Sequence, residues 1–279
     1  MFSKQPPIIL WMVLFSALVA GQSPQFVDVG GYKLDVLRAG AGTPVVILVA
    51  GLGNPLDDWA RIWPSAAEFS AVVAYSRSGL GRSETGPSDH SAKSAVVELH
   101  ALLTKLQLKP PYVLVGRSYG GLLVRLYTSF YPAEVKGLVL VDGTHEQQVQ
   151  RWGKLDSAYP GAFRAFFEDR LKTLKPGAEA DETRETMRIQ AAGAVEGLTQ
   201  LPDIPLAVLT SMKVAPAPQH VNQTAQGHEA WRAMHEEWFR RSHNGLHIVT
   251  TRSGHAIQDD EPQLVIGVIR FIVDRVRTQ

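Results

Sequence analysis

Cysteine is absent from all 279 residues. Its absence excludes disulfides, thiolate nucleophiles, cysteine zinc sites, iron–sulfur clusters and lipid attachment to a thiol. Any nucleophile in this chain is therefore an oxygen or a nitrogen. Charge of one sign is equally scarce: 28 Lys plus Arg stand against 27 Asp plus Glu, a formal net charge of +1, with no long basic run. Without such a run there is no electrostatic footprint for a nucleic-acid backbone or an anionic membrane surface, and no nucleic-acid partner is expected. No His-Glu-x-x-His occurs, and the acid pairs Asp57-Asp58 and Asp259-Asp260 have no histidine at ligand spacing. No metal and no other cofactor is expected.

The leading apolar run, Ile8 to Ala20, is also short for a membrane span. Thirteen helical residues rise about 20 Å against the ~30 Å of a bilayer core. With Lys4 before it and the small residues Val19, Ala20 and Gly21 closing it, residues 1–21 read as a secretory signal peptide, cleaved to leave Gln22 at the mature terminus. Export to the periplasm or the medium is the expectation. Membrane attachment would follow only if this segment stayed uncleaved.

What is present suits one folded domain over residues 22–279: 45% hydrophobic and 20% charged residues, with 24 Gly and 17 Pro. From Phe26 onward short β-rich runs alternate with helical patterns, which favours a mostly parallel, twisted sheet with helices on both faces. Gln25 to Val29 and Tyr32 to Leu37, split by Gly30-Gly31, predict an opening antiparallel hairpin. Five later runs are continuously apolar, as strands buried on both faces require: Val45–Ala50, Ala71–Tyr75, Tyr112–Val115, Gly137–Val141 and Leu206–Leu209. Leu246–Thr250 is a weaker addition. Leu99, Leu102, Leu103 and Leu106, and again Val265, Val268, Ile269 and Ile272, keep the helical i, i+3, i+4, i+7 spacing of covering helices. After the sixth strand the rhythm breaks, and about residues 145–203 predict an inserted helical cap carrying Trp152, Tyr159, Phe163, Phe166 and Phe167. Aromatics at that spacing are more often packing than pocket lining.

The strongest chemical signal is Gly116-Arg117-Ser118-Tyr119-Gly120-Gly121, directly after a strand pattern and directly before a helical one. A serine on such a sharp turn projects its hydroxyl above the sheet, and the glycines on either side admit close backbone approach. Ser118 is the candidate nucleophile. The Tyr119 amide, at the positive end of the following helix, suits a developing oxyanion.

With this turn, the order of strands and the cap, the chain from Phe26 to Val276 resembles the α/β-hydrolase superfamily. The resemblance implies a second oxyanion amide at Leu52, in Ala50-Gly51-Leu52-Gly53 after the VVILV run, with Ala50 where histidine is frequent. It implies a structural role for Tyr75-Ser76-Arg77-Ser78-Gly79-Leu80-Gly81-Arg82-Ser83, with Ser76 where aspartate is common. A serine needs a base within hydrogen-bond reach. His255, in Ser253-Gly254-His255-Ala256 between the last strand and the last helix, is similar to the family's base-bearing loop. His247 sits in a strand pattern, and His90, His100, His220, His228, His235 and His243 are expected on solvated loops and helices.

The orienting carboxylate departs from the common pattern. In many relatives it follows the strand after the cap, but Leu209-Thr210-Ser211-Met212-Lys213 holds no acid. Asp203 precedes that strand and belongs to the wrong end of the sheet. The resemblance implies Asp142, ending the GLVLV run where a subset of the superfamily carries its acid, as the leading choice, with Glu146 in reserve. The implied chemistry is hydrolysis of a small or medium hydrophobic carboxylic ester through an acyl-enzyme. Lactonase, aminopeptidase or carbon–carbon bond hydrolase activity, or a binding protein without catalysis, are the alternatives on this fold. The implied partner is a small-molecule ester. Arg117, beside the nucleophile, could steer an anionic substrate or pair with an acid beneath the turn.

Overall fold

The computed structural model describes residues 25–87, 89–239 and 242–279; the leading segment read as a signal lies outside them. Among the described residues no helix is long and apolar enough to cross a membrane.

Eight strands form one sheet: β1 Gln25–Asp28, β2 Lys33–Ala39, β3 Val45–Val49, β4 Ala71–Tyr75, β5 Tyr112–Arg117, β6 Val135–Val141, β7 Leu206–Ser211 and β8 Gly245–Thr250. Their order is β1-β2-β4-β3-β5-β6-β7-β8. The β1–β2 and β2–β4 pairs are antiparallel, and every other pair is parallel. The opening hairpin turns at Gly30 and Gly31, with φ of 130° and 100°. Both glycine amides donate to Asp28 Oδ1 at 2.8 Å, which closes the turn.

The continuous apolar runs exist because both faces of the central strands are covered. Val45, Ile47 and Val49 of β3 and Leu114 of β5 enter one core with α2 (Ala92–Lys105) and α3 (Tyr119–Phe130). Val46, Leu48, Val113 and Val115 enter the other, with α1 (Trp63–Ala66) and α9 (Pro262–Arg277). Each fully buried Val, Leu or Ile contributes roughly 1.5–3 kcal/mol. The two helical stripes expected from spacing are those faces: Leu99, Leu102 and Leu103, then Val265, Val268, Ile269 and Ile272, are all at most 3% exposed. Ser91 caps α2 by accepting from the Ser94 amide at 3.2 Å.

Between β6 and β7 the chain runs through α4 (Gln148–Gly153), α5 (Tyr159–Thr173) and α6 (Ala178–Ala192). A second connection, between β7 and β8, carries α7 (Ala225–Glu236). Val149, Trp152 and Tyr159 of the first pack with Val221, Trp231 and Met234 of the second in a small core of their own. The roof over the sheet is thus built from two connections, beyond the 145–203 stretch singled out by sequence. The short α8 (Ile257–Asp260) precedes α9. Parallel β3, β5, β6, β7 and β8 all end at one edge, so the loops that follow them share a single cleft.

Candidate active site

Ser118 stands between β5 and α3 with φ 51° and ψ −120°, in the left-handed half of conformational space that a side chain rarely occupies. The turn is held from several sides. Its amide donates to Val141 O at 3.1 Å, and its carbonyl accepts from the amides of Gly121 and Thr144, each at 2.9 Å. A Cβ on Gly116 would lie 2.3 Å from Gly120 O, and one on Gly120 would lie 2.2 Å from Val49 O. Only glycine lets the elbow sit this close to the end of β3.

Asp142, directly after β6, also has positive φ, 46°. Strain of this kind in a non-glycine residue persists where surroundings over-determine it. The Asp142 amide continues the ladder to Leu209 O at 2.8 Å, and its carboxylate turns into the cleft. One oxygen, Oδ1, accepts from the Ser211 amide at 3.0 Å and from Trp231 Nε1 at 2.8 Å. The other, Oδ2, lies 2.6 Å from His255 Nδ1. Burial pushes this carboxyl up, yet the His255 hydrogen bond and charge together with the Ser211 amide outweigh burial and hold it below the usual carboxylate range.

His255 Nε2 lies 2.8 Å from Ser118 Oγ. With Asp142 ionised, Nδ1 carries the proton, and Nε2 is left to accept from the serine hydroxyl. The histidine's loop is tied down through its neighbours: Ser253 donates to Glu261 Oε2 at 2.6 Å, Ser211 Oγ donates to Ser253 O at 2.8 Å, and the Gly254 amide donates to Asp260 Oδ2 at 3.1 Å.

The turn after β3 is clamped around Leu52. Arg77 donates to Ala50 O at 2.8 Å and Gly51 O at 2.7 Å, and its guanidinium pairs with Glu182 of α6. Glu182 Oε2 accepts from the Gly53 amide at 2.9 Å, and Asp58 Oδ2 accepts from the Gly51 amide at 3.0 Å. Leu52 and Tyr119 border the same cavity as Ser118. Among the described residues neither amide is taken by a loop or side-chain acceptor. Arg117 does not face the cavity's contents: it pairs with Asp58 at 3.2 Å, and Gln258 Nε2 donates to the same carboxylate at 3.0 Å.

The cavity above Ser118 has a volume of about 590 Å³. Trp152, Tyr159, Phe163, Phe166 and Phe167 line it from the inserted helices, so these aromatics do more than pack. The expected second acid, Glu146, pairs instead with Arg125 at 2.9 Å and does not reach His255. Asp203 accepts from His243 at an exposed position.

A sequence model of the α/β hydrolase fold matches residues 44–241. The chain belongs to that family. Among curated relatives is the uncharacterized protein YqjL of Bacillus subtilis, 23% identical over 228 residues, 82% of this chain and 83% of YqjL. Among solved structures with the α/β-hydrolase fold, bromoperoxidase from Bacillus anthracis superposes with TM-score 0.66 at 17% identity, covering 90% of this chain and all of that one. An esterase from Exiguobacterium antarcticum gives 0.60 at 14%, covering 90% and 99%. Identities this low establish the fold, and their different printed activities leave the reaction to the site itself.

Sequence reasoning missed several residues of this α/β-hydrolase site. Glu182 lies in the stretch read as a cap and Trp231 on a helix whose histidines read as solvated, although Trp231 and His235 share one face of α7 at i, i+4 spacing. His235 is in fact fully buried. Its Nε2 donates to Gly143 O at 2.9 Å, its Nδ1 lies 2.6 Å from Thr210 Oγ1, and burial pushes its pKa down to about 3. His90 is also buried and sits 3.1 Å from Asp181, His100 lies 3.2 Å from the Tyr127 hydroxyl, and His220 and His228 border the cavity. His247, placed in a strand by its pattern, lies 2.8 Å from Thr210 Oγ1.

Proposed function

We propose that this chain is a serine hydrolase that cleaves carboxylic esters of small or medium hydrophobic substrates through an acyl-enzyme. The observation that carries the reading is the unbroken hydrogen-bond series from Ser118 Oγ through both nitrogens of His255 to Asp142. In the first step His255 Nε2 takes the hydroxyl proton as Ser118 Oγ bonds to the ester carbonyl carbon. The imidazolium then returns that proton to the departing alkoxide as the ester C–O bond breaks. Water, deprotonated by the same nitrogen, attacks the acyl-enzyme and releases the acid and the free serine. Asp142 fixes the tautomer that leaves Nε2 unprotonated and stabilises the imidazolium. The Leu52 and Tyr119 amides hold the carbonyl oxygen while it is negative.

The aromatic wall supports an apolar substrate, because a cavity lined this way favours apolar surface over water. Turnover of p-nitrophenyl esters of increasing acyl length tests both parts. A rise and fall with chain length, abolished by Ser118→Ala, is expected, together with fluorophosphonate labelling of the native chain and none of the variant. Equal ester turnover by native protein and Ser118→Ala would reject the mechanism, and absence of labelling would favour a binding protein on the same scaffold. Export directed by residues 1–21 belongs to this proposal. Its test is the mass of the mature terminus, expected to begin at Gln22.

A further inference from the structure

The cavity has two chemically different walls. The inserted helices contribute Trp152, Tyr159, Phe163 and Phe167 and no charge. The loop that follows β7 contributes Lys213, His220, Asn222 and Gln223. Gln223 Oε1 accepts from the Gln219 amide at 2.7 Å, so the group this carboxamide has left to offer is its NH₂. The second wall therefore offers the Lys213 ammonium and the Gln223 NH₂ as donors beside the unpartnered Asn222 Oδ1.

Among the described residues, Lys213 and Asp142 are the two bordering the cavity that carry Lys, Arg, Asp or Glu charge. They are not partners. Asp142 is already engaged by the Ser211 amide, Trp231 and His255. Among the described residues Lys213 makes no ion pair; its backbone amide contacts Ser211 Oγ at 3.5 Å, which anchors the residue near the end of β7. Nearly all the other cations that help shape the site are neutralised: Arg77 by Glu182, Arg117 by Asp58, Arg125 by Glu146 and Arg151 by Glu237. Lys213 stands apart from this pattern. An exposed ammonium at the rim of a ligand cavity, with no ion-pair partner among the described residues, suits an anion, because a bound carboxylate supplies the charge-assisted hydrogen bond the wall lacks.

We propose that the substrate carries a carboxylate besides the scissile ester, bound by Lys213, with its apolar arm against the cap aromatics. This assignment rests on the ester-hydrolase reading of the same cavity and narrows it to half-esters and related ester acids. An acidic lining residue would make such a substrate unwelcome, and the one acid present is fully occupied.

The test uses matched pairs. On the acyl side, p-nitrophenyl hydrogen glutarate is compared with p-nitrophenyl methyl glutarate; on the alcohol side, 4-carboxyphenyl butyrate is compared with its methyl ester. The expected result is an anionic-to-neutral ratio of kcat/KM above one in at least one pair. Lys213→Gln lowers that ratio about threefold, the scale of one charge contact at an exposed site. Lys213→Glu lowers it further, by about tenfold, and added salt erodes the preference of the native chain. A ratio unmoved by either substitution in both pairs overturns the inference.

Binding provides a readout independent of turnover. Calorimetry on Ser118→Ala compares 5-phenylvalerate with 5-phenylvaleramide, and the acid is expected to bind about threefold tighter, an advantage lost when Lys213→Gln is added. If no ester is hydrolysed but this advantage appears, the ester reading fails and the anion site stands. If esters are hydrolysed and Lys213 affects neither ratio nor binding, the anion site alone fails.

Discussion

Glu182→Gln is the most informative single change, because Glu182 ties an inserted helix to the turn expected to stabilise the oxyanion. Its carboxylate and the Arg77 guanidinium are each 3% exposed, so the pair is shielded from solvent and salt. Removing one member of a buried pair costs about 3–5 kcal/mol, because the other charge is left uncompensated. Glutamine keeps the shape and an acceptor for the Gly53 amide, and the loss belongs to the charge on Arg77. The expected stability loss is therefore about 3 kcal/mol, at the low end of that range. Arg77 also holds Ala50 O and Gly51 O, at 2.8 and 2.7 Å, and a relaxed guanidinium loosens the peptide that carries the Leu52 amide. Losing an oxyanion donor outright costs ~10²–10³ in kcat, and displacing one by a fraction of an ångström is expected to cost about tenfold. Urea unfolding reads the first quantity, and kcat on p-nitrophenyl butyrate reads the second. Combining Arg77→Met with Glu182→Leu separates the effects: apolar replacement of the pair recovers stability relative to Glu182→Gln, while kcat stays low because the two carbonyls have lost their donors. A Glu182→Gln protein within about 0.5 kcal/mol of native stability and with native kcat would refute the clamp.

Three further outcomes follow from the geometry. Trp231→Phe deletes one of two donors to Asp142 Oδ1; a lost hydrogen bond to a charged group costs about 1.5–3 kcal/mol, and kcat and the fluorophosphonate labelling rate should fall together by about tenfold, whereas an unchanged labelling rate would deny Trp231 any part in positioning the acid. Burial pushes His145 down to about 4 and His235 to about 3 from an ordinary 6.5, so between pH 6.5 and 4 the unfolded chain binds protons that the folded chain refuses. Stability should then fall on acidification by up to about 1.4 kcal/mol per pH unit for each histidine, and equal urea midpoints at pH 7 and 5 would contradict it. Gly120→Ala forces a Cβ to 2.2 Å from Val49 O; a loss of at least about 3 kcal/mol is expected, and a native-like melting temperature would mean that the elbow is looser than described.

The fold was legible because its periods are unambiguous. Alternate residues of β3 and β5 feed two different cores, so the runs had to be continuously apolar, and α2 and α9 announce their buried stripes by spacing alone. Ser118 was visible because glycine at 116 and 120 is a steric requirement written into neighbouring letters. Asp142 was reached from the acid-free end of β7 together with the resemblance to relatives that carry the acid at this position, and the positive φ that presents its carboxylate has no signature in a non-glycine letter. Glu182, Asp58 and Trp231 were illegible for a different reason. Each acts across a long sequence separation, 129 residues between Glu182 and Gly53 and 89 between Trp231 and Asp142, and a charged or aromatic residue on a polar helix carries no mark of a distant partner. His235 was misread in the same way, since its partners Thr210 and Gly143 lie on two strand ends that meet only in the folded sheet.

With the carboxylate seated just after β6, the tip of β7 has no acid to supply, and the Ser211 hydroxyl holds Ser253 O instead. There Ser211 contributes to Asp142 only through its backbone amide, a contact that any residue except proline preserves. The adjoining stretch bearing Lys213 is consequently a place where inheritance can experiment: its letters can change without disturbing the hydrogen bonds that join Asp142, His255 and Ser118.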